Sequence, residues 1–181
     1  MIVYWYANDG KRYTFPNANT YFSWFPSFDT VINLTDAELA NIPLGNQNVT
    51  YRPGAKLVKI VSDPKVYAVS RNGVLRHVTN ESVASQLYGQ AWNLNVHDVP
   101  VEFFTNYTVG SPIYSISDYS VSSEYNSVSN PADSFRNIVN GSQTGSLNLT
   151  ADRTSINPGQ AVNLTASVPA GYSGGYIRIF D

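Results

Sequence analysis

The sequence predicts an α+β tandem repeat, each unit a β-hairpin plus short helices, followed by a short all-β portion. Three observations carry this. The chain resembles itself at a shift of about 63 residues, each copy centres on an Asn/Asp-Gly pair between apolar runs, and the last stretch contains only alternating segments and turns. Self-similarity at a fixed period is the mark of a repeat architecture.

The shift is concrete. Moved by 63 positions, Val3-Tyr4 falls on Val66-Tyr67, Gly10 on Gly73, Phe15 on Val78 and Asn17 on Asn80. Moved by 65, Leu39 falls on Phe104, Ile42 on Tyr107 and Leu44-Gly45 on Val109-Gly110. A drift of two residues is one small loop insertion.

The second copy shows the physics best. "KLVKIV" (56–61) is apolar and β-branched, a strand signal. "KVYAVS" (65–70) runs into Arg71-Asn72-Gly73, and an Asn-Gly pair favours a tight hairpin because both residues tolerate positive φ. "VLRHV" returns. "TNESVASQLYG" opens on Thr79 or Asn80 as N-cap and closes on Gly89, which predicts a short helix. "VPVEFFTNY" (99–107) supplies a further helical turn. In the first copy "NANTYFSWF" and "TDAELANI" take these places, with Asp36, or Thr35 paired to Glu38, as the cap. Each unit reads hairpin, helix, extended segment, helix.

One difference between the copies stands out. "KLVKIV" precedes the second hairpin, whereas the first begins at Met1, so a strand edge is left unpaired. A trimmed boundary is the simplest reading; another segment or a partner chain could also fill the place.

Boundaries follow as 1–51 for the first unit, 52–114 for the second, 115–145 for a linker and 146–181 for the all-β portion. The linker is expected because "SISDYSVSSEYNSVSNPADSFRNIVNGSQTG" holds nine serines and no Lys or Leu. Within it, Asn130-Pro131 starts one helical turn.

The residues "VYWYANDGKRYTFPN" (3–17), "YFSWF" (21–25), "LVKI…KVYAV…NGVLRHV" (57–78), "AWNLNVHDVP" (91–100) and "TVG" (108–110) resemble a bacterial surface-protein repeat module. His77 stands where that family usually has Trp. In "LNLTADRTSI", "NPGQ" and "AVNLTASV", strand, Asn-Pro-Gly turn and strand resemble the start of a bacterial immunoglobulin-like domain. That resemblance implies a partial immunoglobulin-like sandwich after the repeat, since about seven strands make a whole one. Together the two imply a secreted or cell-surface setting.

Composition narrows the function. Lys and Arg number 11 against 13 Asp and Glu, for a net charge of −2. A nucleic-acid binder shows a basic stripe, and none is visible. No apolar run nears the length that spans a bilayer. Cysteine is absent, which excludes disulfides and thiolate metal sites. The polar surface is largely uncharged, with 20 Ser, 19 Asn and 12 Thr. Asn-x-Ser/Thr sequons at Asn33, Asn48, Asn80, Asn106, Asn140, Asn148 and Asn163 matter only in a glycosylating host.

Site candidates are few. His77 and His97, with Asp98 or Glu102, lack a ligand spacing; Asp118 and Glu124 are thin calcium candidates. Asp9, Asp36, Asp63 and Asp98 sit at turns or caps rather than facing across a cleft. No catalytic residue, cofactor or metal is expected. Arg12 and Arg76, beside the hairpin turns, are expected to stack on aromatics or pair with carboxylates.

Aromatic residues remain. Trp5, Tyr6, Tyr21 and Trp24 are the candidate glycan or partner contacts, because such rings suit the two faces of a saccharide. Burial as core is the competing expectation. In "VYWY", alternation puts Val3 and Trp5 on one face and Tyr4 and Tyr6 on the other.

The expected function is a non-enzymatic structural protein of a bacterial cell surface: a surface-layer, filament or appendage subunit that self-associates by strand addition, the C-terminal strands of one chain completing a neighbour. The alternative is a carbohydrate-binding module anchoring a secreted protein to wall polysaccharide. A more remote one is an accessory domain of a secreted hydrolase.

Overall fold

A computed structural model describes residues 2–60, 62–136, 148–151, 164–167 and 175–179. It is a mixed α and β architecture with a four-stranded, a five-stranded and a two-stranded sheet.

In the first sheet, β1 (Val3–Tyr6) and β2 (Arg12–Thr14) form a hairpin closed by Gly10 at φ 75°. Alternation decides its faces as expected. Val3, Trp5 and Ala7 join one core, over which helix α1 (Ala18–Phe22) lays Tyr21. Tyr4 meets Leu39 of α2 (Asp36–Ala40) on the other. Both helices are capped by short polar side chains. Asn17 Oδ1 accepts from Thr20 N at 2.9 Å, and Thr35 and Glu38 form the reciprocal capping box. The extended segment between them contributes β3 (Ile32–Leu34).

The five-stranded sheet is built around β4 (Leu57–Ile60) and β5 (Asp63–Ser70). Asn72 and Gly73 adopt φ 59° and 64°, and the chain returns as β6 (Val74–His77). Helix α3 (Glu81–Tyr88) starts on the Asn80 cap and stops at Gly89, φ 85°. Then come β7 (Val96–Val99), α4 (Val101–Phe104) and β8 (Thr108–Val109), giving the order β7-β4-β5-β6-β8. Val58, Tyr67 and Val69 face Phe103 and Phe104; Leu57 and Ala68 face Val83 and Ala84 of α3.

Residues 115–136 differ from the expected linker. Tyr119 is buried with Leu57 and Ala68, while Val128, Ala132 and Phe135 are buried with Trp5 and Tyr13. The serines act as caps. Ser115 and Asp118 form a capping box, Ser120 caps α5 (Val121–Asn126), and Asn130 caps a 3₁₀ turn over Pro131–Ser134. Short polar side chains here satisfy turn and helix-end N–H groups around a few large apolar anchors: Ser120 Oγ accepts from Ser123 N, Asn130 Oδ1 from Ala132 N and Asp118 from Ser115 N.

One anchor of that segment is testable. Gly54, at φ 70°, donates to Val69 O at 3.0 Å, and a Cβ there would lie 2.4 Å from the Val121 carbonyl oxygen. Gly54→Ala combines a left-handed penalty of about 1–2 kcal/mol with a backbone clash. A loss of at least about 2 kcal/mol is expected in urea unfolding; a loss below about 0.5 kcal/mol would mean α5 is not seated there.

The all-β portion divides. β9 (Asn148–Ala151) and β10 (Leu164–Ser167) pair antiparallel as the two-stranded sheet. β11 (Gly175–Ile179) joins the first sheet instead, in the order β2-β1-β11-β3. The strand expected as the third of an immunoglobulin-like opening therefore lies beside β1. The remaining residues of 146–181 fall outside the described set.

Candidate functional site

The aromatic candidates are brought together, but inside the protein. Trp5, Tyr21 and Trp24 are 3%, 1% and 6% exposed. Trp5 stacks on Phe25 with centroids 6.1 Å apart, and Tyr21 stacks on Phe28 at 4.5 Å and meets Phe15 edge-on at 5.2 Å. The polar edges of two of them are satisfied internally: Tyr21 OH donates to Ser27 O at 2.8 Å and Trp24 Nε1 to Thr50 O at 2.8 Å. A ring with no free face cannot stack on a sugar, so these three are core, and the expected glycan contact is corrected. Tyr6 alone of the four is half-buried, packed against the Tyr4–Leu39 pair.

A shallow groove of about 260 Å³ lies beside this core, lined by Val3, Phe15, Tyr21, Phe28 and Phe103. Ligand pockets run to about 300–1,000 Å³ with convergent polar groups. Its one amide, Asn17, already holds both Thr20 N and Thr20 Oγ1. It is a packing crevice.

Arg12 and Arg76 staple loops. Arg12 Nη1 donates to the carbonyls of Leu39 and Ile42 and its guanidinium sits 5.3 Å from the Tyr4 ring. Arg76 donates to Ser111 O at 2.9 Å and Asp118 O at 2.6 Å and lies 5.9 Å from the Tyr119 ring. The stacking was expected; the partners of the hydrogen bonds are carbonyls, not carboxylates. Sequence reading missed Arg52. Its guanidinium lies 3.6 Å from the Tyr125 ring and 5.6 Å from Trp24, and it donates to Tyr125 O and Val128 O at 3.3 Å. It clamps residues 115–136 to the first core, and no local motif marks it.

The histidines are held apart. His97, Val58, Tyr67 and His77 form one register row across β7-β4-β5-β6. Three strand spacings of about 4.8 Å place the imidazoles about 14 Å apart, too far to share an ion. Asp98 pairs with Lys59 at 2.7 Å, Asp118 accepts from the Tyr114 and Ser115 N–H groups, and Glu124 accepts from Arg71 N. Among the described residues, no three His, Asp or Glu side chains gather to hold a metal.

His97 Nδ1 lies 3.2 Å from Tyr51 OH. Burial, then the Lys56 ammonium, depress its pKa below the usual 6.5, with Asp98 opposing. The folded state thus prefers neutral imidazole, and between the two pKa values the unfolded state binds more protons. Stability is full above about pH 6.5 and falls as pH drops below it. The urea midpoint should decline from pH 7 to pH 5.5, and His97→Gln should flatten that slope. An unchanged slope would exclude His97 as its source. Asp118 and Glu38, both depressed by hydrogen bonds at helix starts, act in the acid range below about pH 4.

The remaining feature is the seam around β11. Val3, Tyr4, Trp5 and Tyr6 oppose Arg178, Ile177, Tyr176 and Gly175 antiparallel. On its other edge, Ile177, Ile179 and Arg178 oppose Ile32, Leu34 and Asn33 in parallel. A strand from the C-terminal region thus fills a slot between two N-terminal strands, by backbone pairing on both edges.

No protein-family model, curated protein or solved structure matches the chain. Among the described residues no helix is long and apolar enough to cross a membrane.

Proposed function

We propose that this protein is a non-enzymatic structural protein of a bacterial cell surface, built as a tandem repeat whose units are completed by strand addition. The observation that carries the reading is the matching register of the two larger sheets. Tyr4 lies between Thr14 and Ile177, and Ile177 lies against Ile32. Tyr67 lies between His77 and Val58, and Val58 lies against His97. Tyr4 and Tyr67, like Thr14 and His77, are 63 positions apart.

Several independent bonds support the same correspondence. Phe15 N donates to Val3 O as Val78 N does to Val66 O, both at 2.9 Å. Gly45 N donates to Arg12 O at 2.8 Å, and Gly110 N to Leu75 O at 2.9 Å. Asn17 and Asn80 cap the helix on one face; α2 and α4 cover the other. In this reading Tyr176-Ile177-Arg178-Ile179 takes the place of Leu57-Val58-Lys59-Ile60. Repeats bound by such main-chain pairing suit load-bearing or array-forming roles, where each unit contacts its neighbours. The uncharged polar composition supports the extracellular setting.

The test is negative-stain microscopy with light scattering on protein isolated natively, alongside protease shaving of intact source cells. Regular sheets or filaments and surface cleavage are expected. A protein that stays monomeric at high concentration and is protected inside intact cells would overturn the reading.

A further inference from the structure

We propose that the slot between β1 and β3 accepts the C-terminal strand of a second copy of this chain, so that copies link by exchanging β11. The inference rests on the structural reading above and names its joint. Among the described residues, β11 pairs with β1 and β3 alone, both in the first 34 residues, while β9 and β10 pair with each other alone. Nothing in that ladder depends on which chain supplies the strand. The same backbone groups and the same register are presented by every copy, which is the condition for swapping an identical element. Main-chain bonds supply the affinity, and the alternating side-chain positions supply the specificity.

Without β11, β1 would present the open edge of a two-stranded hairpin and β3 would lose the ladder described for it, and unpaired backbone edges of that kind recruit a strand. The occupant is specified by sequence as well as by shape. The slot equivalent to it in the other sheet holds Leu57-Val58-Lys59-Ile60, and the C-terminal Tyr176-Ile177-Arg178-Ile179 repeats its apolar-apolar-basic-Ile order. Every copy therefore carries both a slot and the strand that fits it.

Concentration sets the choice. A strand tethered to its own slot has an effective concentration on the order of 1 mM. Exchange is then rare in dilute solution and reaches about half of all slots near 1 mM protein, a density that a crowded surface array provides. A donor that reaches forward rather than reciprocally gives an open chain of copies instead of a closed pair.

The absence of cysteine makes the test clean. Val3 and Arg178 are directly opposed, so V3C and R178C single variants of the full chain are mixed, unfolded, refolded together and oxidised. In an equal mixture at about 1 mM total protein, half of the strands are exchanged and half of the slots they enter carry V3C, so roughly a quarter of the R178C strands should be captured as a 3–178 disulfide between chains; at about 10 µM, about one in two hundred. The V3C/R178C double variant should run as a crosslinked monomer when dilute and as a ladder when concentrated. Tyr6 and Gly175 are also opposed, and the Y6C and G175C pair repeats the experiment if V3C fails to fold. A 3–178 link confined to single chains at every concentration overturns exchange, and so does no link at all. If the links stay within chains while microscopy shows regular arrays, the structural reading stands without strand exchange.

Discussion

Trp24→Ala is expected to cost about 3–5 kcal/mol of stability, measured as a shift of the urea midpoint by circular dichroism. The ring is 6% exposed and packs in the core with Trp5, Tyr21 and Phe15. Removing it opens a cavity, strips the Thr50 carbonyl of its indole donor and deprives the Arg52 guanidinium of one of its two rings. A folded domain has only about 5–15 kcal/mol to lose, so this variant approaches the limit. Trp24→Phe keeps most of the apolar body and loses the N–H, and should cost less, with about 1 kcal/mol from the lost bond. A ring serving as an exposed sugar contact would give a different pattern, within about 0.5 kcal/mol for both variants. That outcome would return Trp24 to the surface and restore the carbohydrate-binding alternative.

Local signals were legible where local physics decides. Asn72-Gly73 announces its hairpin because two adjacent positive φ values are cheap only for such residues. Asn80 and the Thr35–Glu38 pair announce helix starts because each satisfies an N–H that the helix cannot. The faces of "VYWY" follow from alternation alone, and α2 covers the face that alternation left open.

What was not legible depends on distance along the chain. Residues 115–136 read as a linker because serine is frequent in linkers; their anchors Tyr119, Val128 and Phe135 are too widely spaced to form a periodic pattern. Arg52 gains its role only when Tyr125 and Val128 arrive from 73 and 76 residues away. The destination of β11 was hidden for a related reason. Four residues of apolar-apolar-basic-Ile are too short to be specific, and this strand follows its proposed unit instead of leading it. The gap it fills was visible as an unpaired first hairpin, and the C-terminal strands were expected to add to a neighbouring copy; that one of them pairs with the first hairpin of its own chain was not visible.

The last prediction sets the two sheets against each other. Ile177 and Val58 hold matching places, each between an antiparallel tyrosine strand and a parallel one. Proline at either removes a ladder N–H and is not tolerated in a central strand. Ile177→Pro should release β11 and raise amide exchange across Val3–Tyr6 and Ile32–Leu34 at least about 30-fold, equivalent to about 2 kcal/mol. Exchange across β5, β6 and β7 should change little, because their cores are the separate clusters of Val58 and Leu57. Val58→Pro should do the reverse, opening β5 and β7 and sparing β1 and β3. Matched, sheet-confined effects would mean that residues 175–179 act as the leading strand of the first unit, as 57–60 do for the second. Full protection of β1 and β3 in Ile177→Pro would mean that the first sheet closes without β11, and the tandem reading would lose its central support.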